Sequence, residues 1–268
     1  MKTTRPAPRI SPLARLLAVV ALACANAPAA STLTDEDLLL ARNPVIIRTR
    51  INTTNEFTDL GGGGYRDKLV FGGTYGFGFN GHDRNFGIAA ELPFLWSNPE
   101  NGDSAWGLGD FKLKIGQLFT GLPEGWRAGW FFDTEFDTAV DDVFAIANQR
   151  TQMALGSGVS FPLTRNLTVT TTLQYGWSLD NGTTSGRKAE WEAHVTTSWK
   201  VMERTTINLD YKAVIQTVDG TELINTLEPS IGYTLGENHE YGLFTSLEIP
   251  LNETNVNQVA KLGLIRFF

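Results

Sequence analysis

Most of the chain alternates apolar with polar or small side chains in runs of about 10–14 residues. The run from Leu167 to Leu179 is the clearest example. Its odd positions are mostly leucine, valine, tyrosine and tryptophan, and its even positions are threonine, glutamine, glycine and serine. A period of two puts successive side chains on opposite faces of an extended strand, whereas a helix repeats every 3.6 residues. Sheets are therefore predicted throughout, rather than helices.

Such runs occur about twelve times, separated by clusters of Gly, Asn, Asp and Pro. They lie near 44–54, 66–79, 86–96, 106–119, 126–138, 149–161, 167–179, 187–200, 205–216, 221–235, 240–250 and 254–268. Single-chain bacterial membrane barrels have an even number of strands, which brings both ends of the chain to one side. We therefore predict an all-β fold, a closed antiparallel transmembrane β-barrel of about 12 strands with both termini in the periplasm.

The connections between these runs fall into two alternating classes. Five are tight and are predicted to face the periplasm: 80–85, 120–125, 162–166, 201–204 and 236–239. The others are generally longer or more acidic, for example 55–65, 97–105 and 138–148, and are predicted to face outward. Short periplasmic turns and longer outer loops are typical of outer-membrane barrels.

A soluble β-sandwich would alternate in the same way, but its apolar face would point inward. Six of the seven tryptophans share the apolar face of their strands, mostly near strand ends: Trp96, Trp126, Trp130, Trp177, Trp191 and Trp199. Aromatic girdles at the two membrane interfaces place tryptophan in this way. The pattern favours a barrel whose apolar side chains face lipid.

Residues 1–29 are predicted to be a cleavable signal peptide. Four basic residues and no acid flank the apolar stretch Leu16–Ala23, and Ala27-Pro28-Ala29 offers a small-residue cleavage site. Residues 30–43 form a periplasmic or lumen-associated segment, either a short capped helix that could plug the lumen or a disordered tether, and residues 44–268 form the barrel. Cleavage removes the only cysteine, Cys24, so the mature chain can form no disulfide.

Cleavage also makes the chain more acidic. It removes four of 22 basic residues and none of 29 acids, so the net charge falls from −7 to −11. This argues against nucleic acid as a partner and suits a surface in contact with outer-membrane lipid and lipopolysaccharide.

The last ten residues, 259–268, end in Phe268. They resemble the terminal signal that the barrel assembly machinery reads, in which apolar residues alternate back from a final aromatic residue. Leu264, Leu262 and Ala260 follow that pattern, whereas Arg266 stands where a tyrosine is expected. The barrel assembly machinery is accordingly a predicted partner.

Charged side chains share the opposite, inward face of the strands. The candidate residues that line a lumen constriction are Arg48, Arg50, Glu91, Asp110, Lys112, Lys114, Arg127, Asp133, Glu135, Glu190, Glu192, His194, Asp210 and Lys212. A hairpin about Leu122 and Pro123 would place Lys112 opposite Asp133 and Asp110 opposite Glu135. The two signs nearly balance, which argues against strong ion selectivity. These side chains either gate a polar path or form a salt-bridged ladder that fills a narrow barrel.

Catalysis and metal binding receive little support. Of the three histidines, His82 and His239 fall in predicted periplasmic turns, and His194 points inward with Thr196, not a serine, two residues on. No histidine pair or cysteine cluster has ligand spacing. We predict no enzyme activity, no cofactor and no metal.

Glu91-Leu92-Pro93-Phe94, followed across an acidic loop by Trp106-Gly107-Leu108-Gly109-Asp110-Phe111-Lys112-Leu113, resembles a hairpin of the MetA-pathway of phenol degradation family of outer-membrane proteins. The resemblance implies a barrel related to transporters of hydrophobic compounds, with uptake of aromatic molecules, and it supplies no binding residues. The chain departs from the family at Phe136-Asp137-Thr138-Ala139, where a proline-threonine-glycine turn is common.

Together these features predict a passive channel for small hydrophobic or aromatic compounds in the outer membrane of a Gram-negative bacterium. Two alternatives stay open. One is a structural or adhesion barrel with a salt-bridged, closed lumen, and the other is an outer-membrane lipid hydrolase.

Overall fold

The computed structural model describes residues 46–60, 63–79, 82–98, 104–139, 151–179, 189–216, 222–252 and 256–268. The predicted signal peptide and residues 30–43 lie outside these ranges, and both remain predictions. The strands are β1 (Arg50–Leu60), β2 (Tyr65–Phe79), β3 (His82–Asn98), β4 (Ala105–Leu108), β5 (Phe111–Leu118), β6 (Arg127–Phe136), β7 (Gln152–Thr164), β8 (Leu167–Ser178), β9 (Ala189–Met202), β10 (Thr205–Gln216), β11 (Glu222–Leu235), β12 (Tyr241–Pro250) and β13 (Val256–Phe267).

The strands form one antiparallel ring. Apart from β4 and β5, sequential strands are hydrogen-bonded to each other, and β1 pairs with β13, with Arg50 opposite Phe267 and Glu56 opposite Lys261. Both β4 and β5 pair with β3, so they are two halves of a single interrupted strand. The predicted closed barrel of twelve strands is confirmed. Among the described residues, no helix is both long and apolar enough to cross a bilayer.

The interruption between β4 and β5 lies at Gly109 and Asp110. A side chain at Gly109 would collide with Leu95 of β3. The Asp110 carboxylate is fully buried and accepts hydrogen bonds from the backbone N–H groups of Thr138 and Ala139, both at 3.0 Å. The prediction of one unbroken strand over 106–119 was therefore wrong at this point. The strand is interrupted where the Asp110 side chain binds the backbone at 138–139, just after β6.

Strand β1 also differs from its predicted range, since it covers 50–60 rather than 44–54. The polar run that follows Ile51 is typical of a loop when read alone. In the barrel these residues pair on both sides, with β2 and β13, and Glu56 forms a 2.9 Å salt bridge with Lys68. Inward-facing polar side chains are tolerated because they line the lumen.

The outer face of the ring is apolar, as the alternation predicted. Many large apolar side chains are exposed there, among them Ile51, Phe71, Tyr75, Leu92, Trp96, Leu173, Trp191, Ile231, Leu243, Leu262 and Leu264. Among the predicted girdle residues, Trp96, Trp126 and Trp191 are exposed, Trp130 and Trp177 are half-buried, and Trp199 is buried at 7% exposure. In β13, Leu262, Leu264 and Arg266 are exposed whereas Lys261, Ile265 and Phe267 are buried. An apolar exterior suits a surrounding of lipid.

The two ends of the barrel differ. One end, which we call the turn end, carries Arg50, Phe267 and short connections such as 165–166, 203–204 and 236–240. The opposite end, the loop end, carries the longer connections. The tight connections therefore lie on the same side as the start of β1 and the end of β13. The alternation of short and long connections in the sequence predicted this arrangement.

Candidate functional site

The interior of the ring holds a cavity of about 700 Å³. Side chains from most of the strands line it. Eleven of the fourteen candidate residues are among them: Arg50, Glu91, Lys112, Lys114, Asp133, Glu135, Glu190, Glu192, His194, Asp210 and Lys212. These charged residues are spread over 163 residues of sequence. They meet in one cavity because the inward-facing side chains of every strand in a closed ring point to the same interior.

The other three candidate residues lie elsewhere. The Arg48 guanidinium lies over the Phe267 ring, 5.5 Å from its centroid. Asp110 is buried in the break between β4 and β5. Arg127 donates a hydrogen bond from Nη1 to the Gly125 carbonyl at 3.3 Å, in the turn before β6. The alternation of the sequence predicts that a side chain faces inward. It does not show whether that residue lines the cavity or lies at the end of a strand.

Two ion pairs join β5 to β6, in a register that differs from the predicted hairpin. Lys112 lies opposite Glu135 and Lys114 opposite Asp133, with N–O distances of 3.1 Å in both pairs. The centre of the connection lies after Pro123, where the Trp126 N–H donates to the Pro123 carbonyl at 3.0 Å. This shifts every partner by two residues and leaves Asp110 outside the ladder.

A second group lies between β9 and β10. His194 Nε2 is 2.6 Å from Glu192 Oε1, and His194 Nδ1 is 2.8 Å from Asp210 Oδ2. The Thr196 hydroxyl donates to the other Asp210 oxygen at 2.5 Å. Both ring nitrogens are thus engaged by carboxylates, which fixes the imidazole against the wall.

A third group connects four strands, β10 to β13. Lys261 Nζ contacts Glu228 at 2.6 Å and Glu248 at 2.8 Å, and Lys212 Nζ contacts the other oxygen of Glu248 at 2.7 Å. The Ser246 hydroxyl donates to Glu228 at 2.5 Å. Charges that would be costly when buried alone are compensated within this network.

Sequence reasoning missed an apolar group at the turn end of the lumen. Ile46, Phe244, Ile265 and Phe267 pack together and are all buried. On the opposite wall, Phe131 is 3% exposed. The sequence contained the signal, because Phe131 has the same parity along β6 as Asp133 and Glu135 and therefore lies on the same, inward face. The acidic neighbours suggested a wholly polar lumen instead.

Among the histidines whose side chains the structure describes, His194 and His239, neither supports nucleophilic chemistry. The nitrogens of His194 bond to carboxylates rather than to a hydroxyl, and a general base needs a hydroxyl within hydrogen-bond reach. His239 Nδ1 does lie 2.6 Å from the Thr234 hydroxyl, but Thr234 is fully buried. Within the described ranges, no group of three histidine, cysteine or acidic side chains is arranged to hold a metal ion.

Comparison with known proteins identifies the architecture. The COG4313 outer membrane channel from Pseudomonas putida F1 superimposes with a TM-score of 0.67 at 14% identity, over 84% of this chain and 97% of that one. The chain has the fold of an outer-membrane β-barrel. The NanC porin (TM-score 0.56, 10% identity, 81% and 99% covered) and the KdgM porin (0.53, 12%, 82% and 99%) share it too. No protein-family model matches the sequence, and none of the curated proteins does.

Proposed function

We propose that this protein is a passive channel in the outer membrane of a Gram-negative bacterium, through which small solutes diffuse. The observation that carries this proposal is the 700 Å³ cavity lined by charged side chains inside a ring whose outer face is apolar. Charged groups are stable in such an interior only if water or partner charges accompany them. The structural neighbours named above as channels or porins support the same conclusion.

The size and chemistry of the cavity favour small cargo. Pockets of about 300–1,000 Å³ accommodate drug-sized molecules. The charged groups are largely paired with one another, which favours weak discrimination between cations and anions. The family resemblance of the 91–113 segment adds hydrophobic or aromatic compounds as the substrate class.

The same geometry supports a proposed orientation and proposed partners. The turn end carries both strand termini and the short connections, so we place it in the periplasm and the loop end outside the cell. The outer face then contacts outer-membrane lipid and lipopolysaccharide. Strand β13, with its outward Leu262, Leu264 and terminal Phe268, presents the strand that the barrel assembly machinery would read.

The test is electrical and chemical transport by the folded protein. Purified protein that shows a heat-dependent mobility shift is incorporated into planar bilayers and into liposomes, and we expect stepwise ion conductance or flux of small solutes. Removal of a lumen pair, Lys114→Ala with Asp133→Ala, should change that transport. The matched control is Asn55→Ala with Asp67→Ala, which removes an outward-facing hydrogen-bonded pair (2.6 Å) from the same barrel and should leave transport unchanged.

Folded protein that gives neither conductance nor solute flux, with the lumen pair present or removed, would overturn the channel proposal. The structural or adhesion barrel with a salt-bridged lumen would then be the better description. Hydrolysis of phospholipid or deacylation of lipid A that is lost on His194→Ala would instead favour the hydrolase alternative.

A further inference from the structure

We infer that the apolar group at the turn end is the selective constriction of the channel and that it favours small neutral solutes with an apolar body over hydrated ions. This apolar collar consists of Ile46, Ile47, Phe131, Phe244 and Ile265, all of which border the cavity. The inference rests on the proposed channel function and specifies which part of the lumen selects the solute.

The collar is built partly from the chain that precedes β1. Residues 46–49, the lead-in segment, lie against the inner wall. The Gly76 N–H donates to the Thr49 hydroxyl at 3.1 Å, and the Phe268 N–H donates to the Thr49 carbonyl at 3.0 Å. These bonds attach the segment to β2 and to the end of β13, so its side chains have fixed positions in the lumen.

The two isoleucines of the lead-in segment pack against different parts of the lumen wall. Ile46 is 5% exposed and packs with Phe244, Ile265 and Phe267 of β12 and β13. Ile47 lies over the wall at Gly87 of β3, where a Cβ atom would come within 2.7 Å of its Cγ2. Only glycine leaves room for the isoleucine at that point.

The collar continues on the neighbouring strands through Phe131. Gly87 of β3 pairs with Gly116 of β5, and Gly116 pairs with Phe131 of β6. Ile47, which lies over Gly87, and Phe131 are therefore on either side of Gly116 in one row across the wall. The Phe131 ring lies across Gly156 of β7, where any Cβ would collide with it. Apolar surface therefore covers the lumen wall at β12–β13 and at β3–β7, and Arg50 of β1 borders the cavity between these two parts.

The remaining arc, β7 to β11, carries buried polar side chains near the turn end, which are Ser160, Thr170, Ser198, Thr206, Asn208 and the charged Lys200. Examples of their hydrogen bonds are Thr170 to Ser160 at 3.0 Å and Asn208 to Ser230 at 3.1 Å. Hydroxyls engaged in this way are poor replacements for the water shell of an ion.

The physical consequence follows from hydration. An ion that crosses an apolar constriction gives up water without receiving ligands, and such constrictions gate channels by dewetting. A neutral apolar solute gains from the same contact, because transfer of apolar surface out of water is favourable. The salt-bridged groups above the collar are thus a wetted vestibule, and the collar sets what passes beyond it.

The experiment compares single-channel conductance in KCl for the unmodified protein, for Ile46→Ser with Ile47→Ser, and for Val259→Ser. Val259 is an apolar residue that borders the same cavity on β13, outside the collar, and serves as the control. We expect the double collar variant to conduct severalfold more than the unmodified protein and the control variant to match it. Phe131→Ser provides an independent collar variant should the double variant fail to fold in the mobility assay.

The outcomes separate the two proposals. If the unmodified protein conducts and every folded collar variant conducts equally, the collar inference is wrong while the channel function stands. If no protein, modified or not, conducts or transports solute, the channel proposal fails and the collar inference fails with it. Conductance that rises only in collar variants supports both.

Discussion

Lys261 is a buried charge in the lumen whose removal should cost substantial stability, and Lys261→Met tests this. Its side chain is 6% exposed and contacts two carboxylates, Glu228 and Glu248. Removing one partner of a buried pair costs about 3–5 kcal/mol, since the remaining charge stays buried without compensation. Glu248 would keep Lys212, and Glu228 would keep the Ser246 hydroxyl. The loss therefore belongs at the lower end, about 3 kcal/mol in the free energy of unfolding.

The measurement is urea unfolding in lipid vesicles followed by tryptophan fluorescence. Combining Lys261→Met with Glu228→Gln removes the orphaned charge as well and should recover roughly half of the loss. Lys114→Met is the matched control, because Lys114 and its partner Asp133 are 36% and 33% exposed. It should cost about 1 kcal/mol or less. A Lys261→Met variant no less stable than Lys114→Met would refute the argument that burial decides the cost.

Three further substitutions test particular contacts by the same unfolding assay. Gly156→Val should destabilise the barrel by about 1–3 kcal/mol through collision with the Phe131 ring, and Phe131→Ala in the same chain should relieve part of that loss; equal losses with and without Phe131→Ala would exclude the collision. Asp110→Ala should cost about 1–3 kcal/mol because two backbone N–H groups lose their acceptor, whereas Asp110→Asn, which keeps an acceptor oxygen, should cost less. Arg266→Tyr should change stability by no more than about 1 kcal/mol, since this exposed arginine already lies over the Tyr241 ring near the membrane interface. A larger change would place Arg266 deeper in the membrane than the turn end allows.

The sequence was sufficient for the architecture because a barrel repeats one local rule around the whole ring. In β8, the alternation from Leu167 onward is visible directly, and in the structure its outward residues are half-buried or, at Leu173 and Tyr175, exposed. The tight connections were located for the same reason, since 165–166 and 203–204 separate long, regular runs.

The details that failed depend on partners distant in sequence. The polar residues of β1 resemble a loop until β13, some 200 residues later, supplies Lys261 opposite Glu56. The register of β5 against β6 depends on backbone geometry about Pro123, which alternation does not report. The break at Asp110 requires Thr138, 28 residues away, to provide the N–H that its carboxylate accepts.

The candidate site was predictable as a set of inward charges but not as a set of contacts. Parity places Glu192 and His194 on one face, and only the fold shows that His194 also bonds Asp210 of the next strand. The apolar collar was missed because the lead-in segment was assigned to a first strand that begins at 44. An inward isoleucine there carries no periodic signal of its own.

The pairing of β1 with β13 has a consequence for how the molecule is made. The two strands are at opposite ends of the chain, and contacts such as Asn257 to Asp59 span 198 residues. Until the last strand exists, β1 and the newest strand each present an unpaired edge, which is a template for association with other chains. Ring closure is therefore a post-synthetic event, and export must deliver the whole chain in a state that keeps these edges apart. A chain that lacks only residues 256–268 would lose the seam of the barrel, so truncation at this end should be far more damaging than its length suggests.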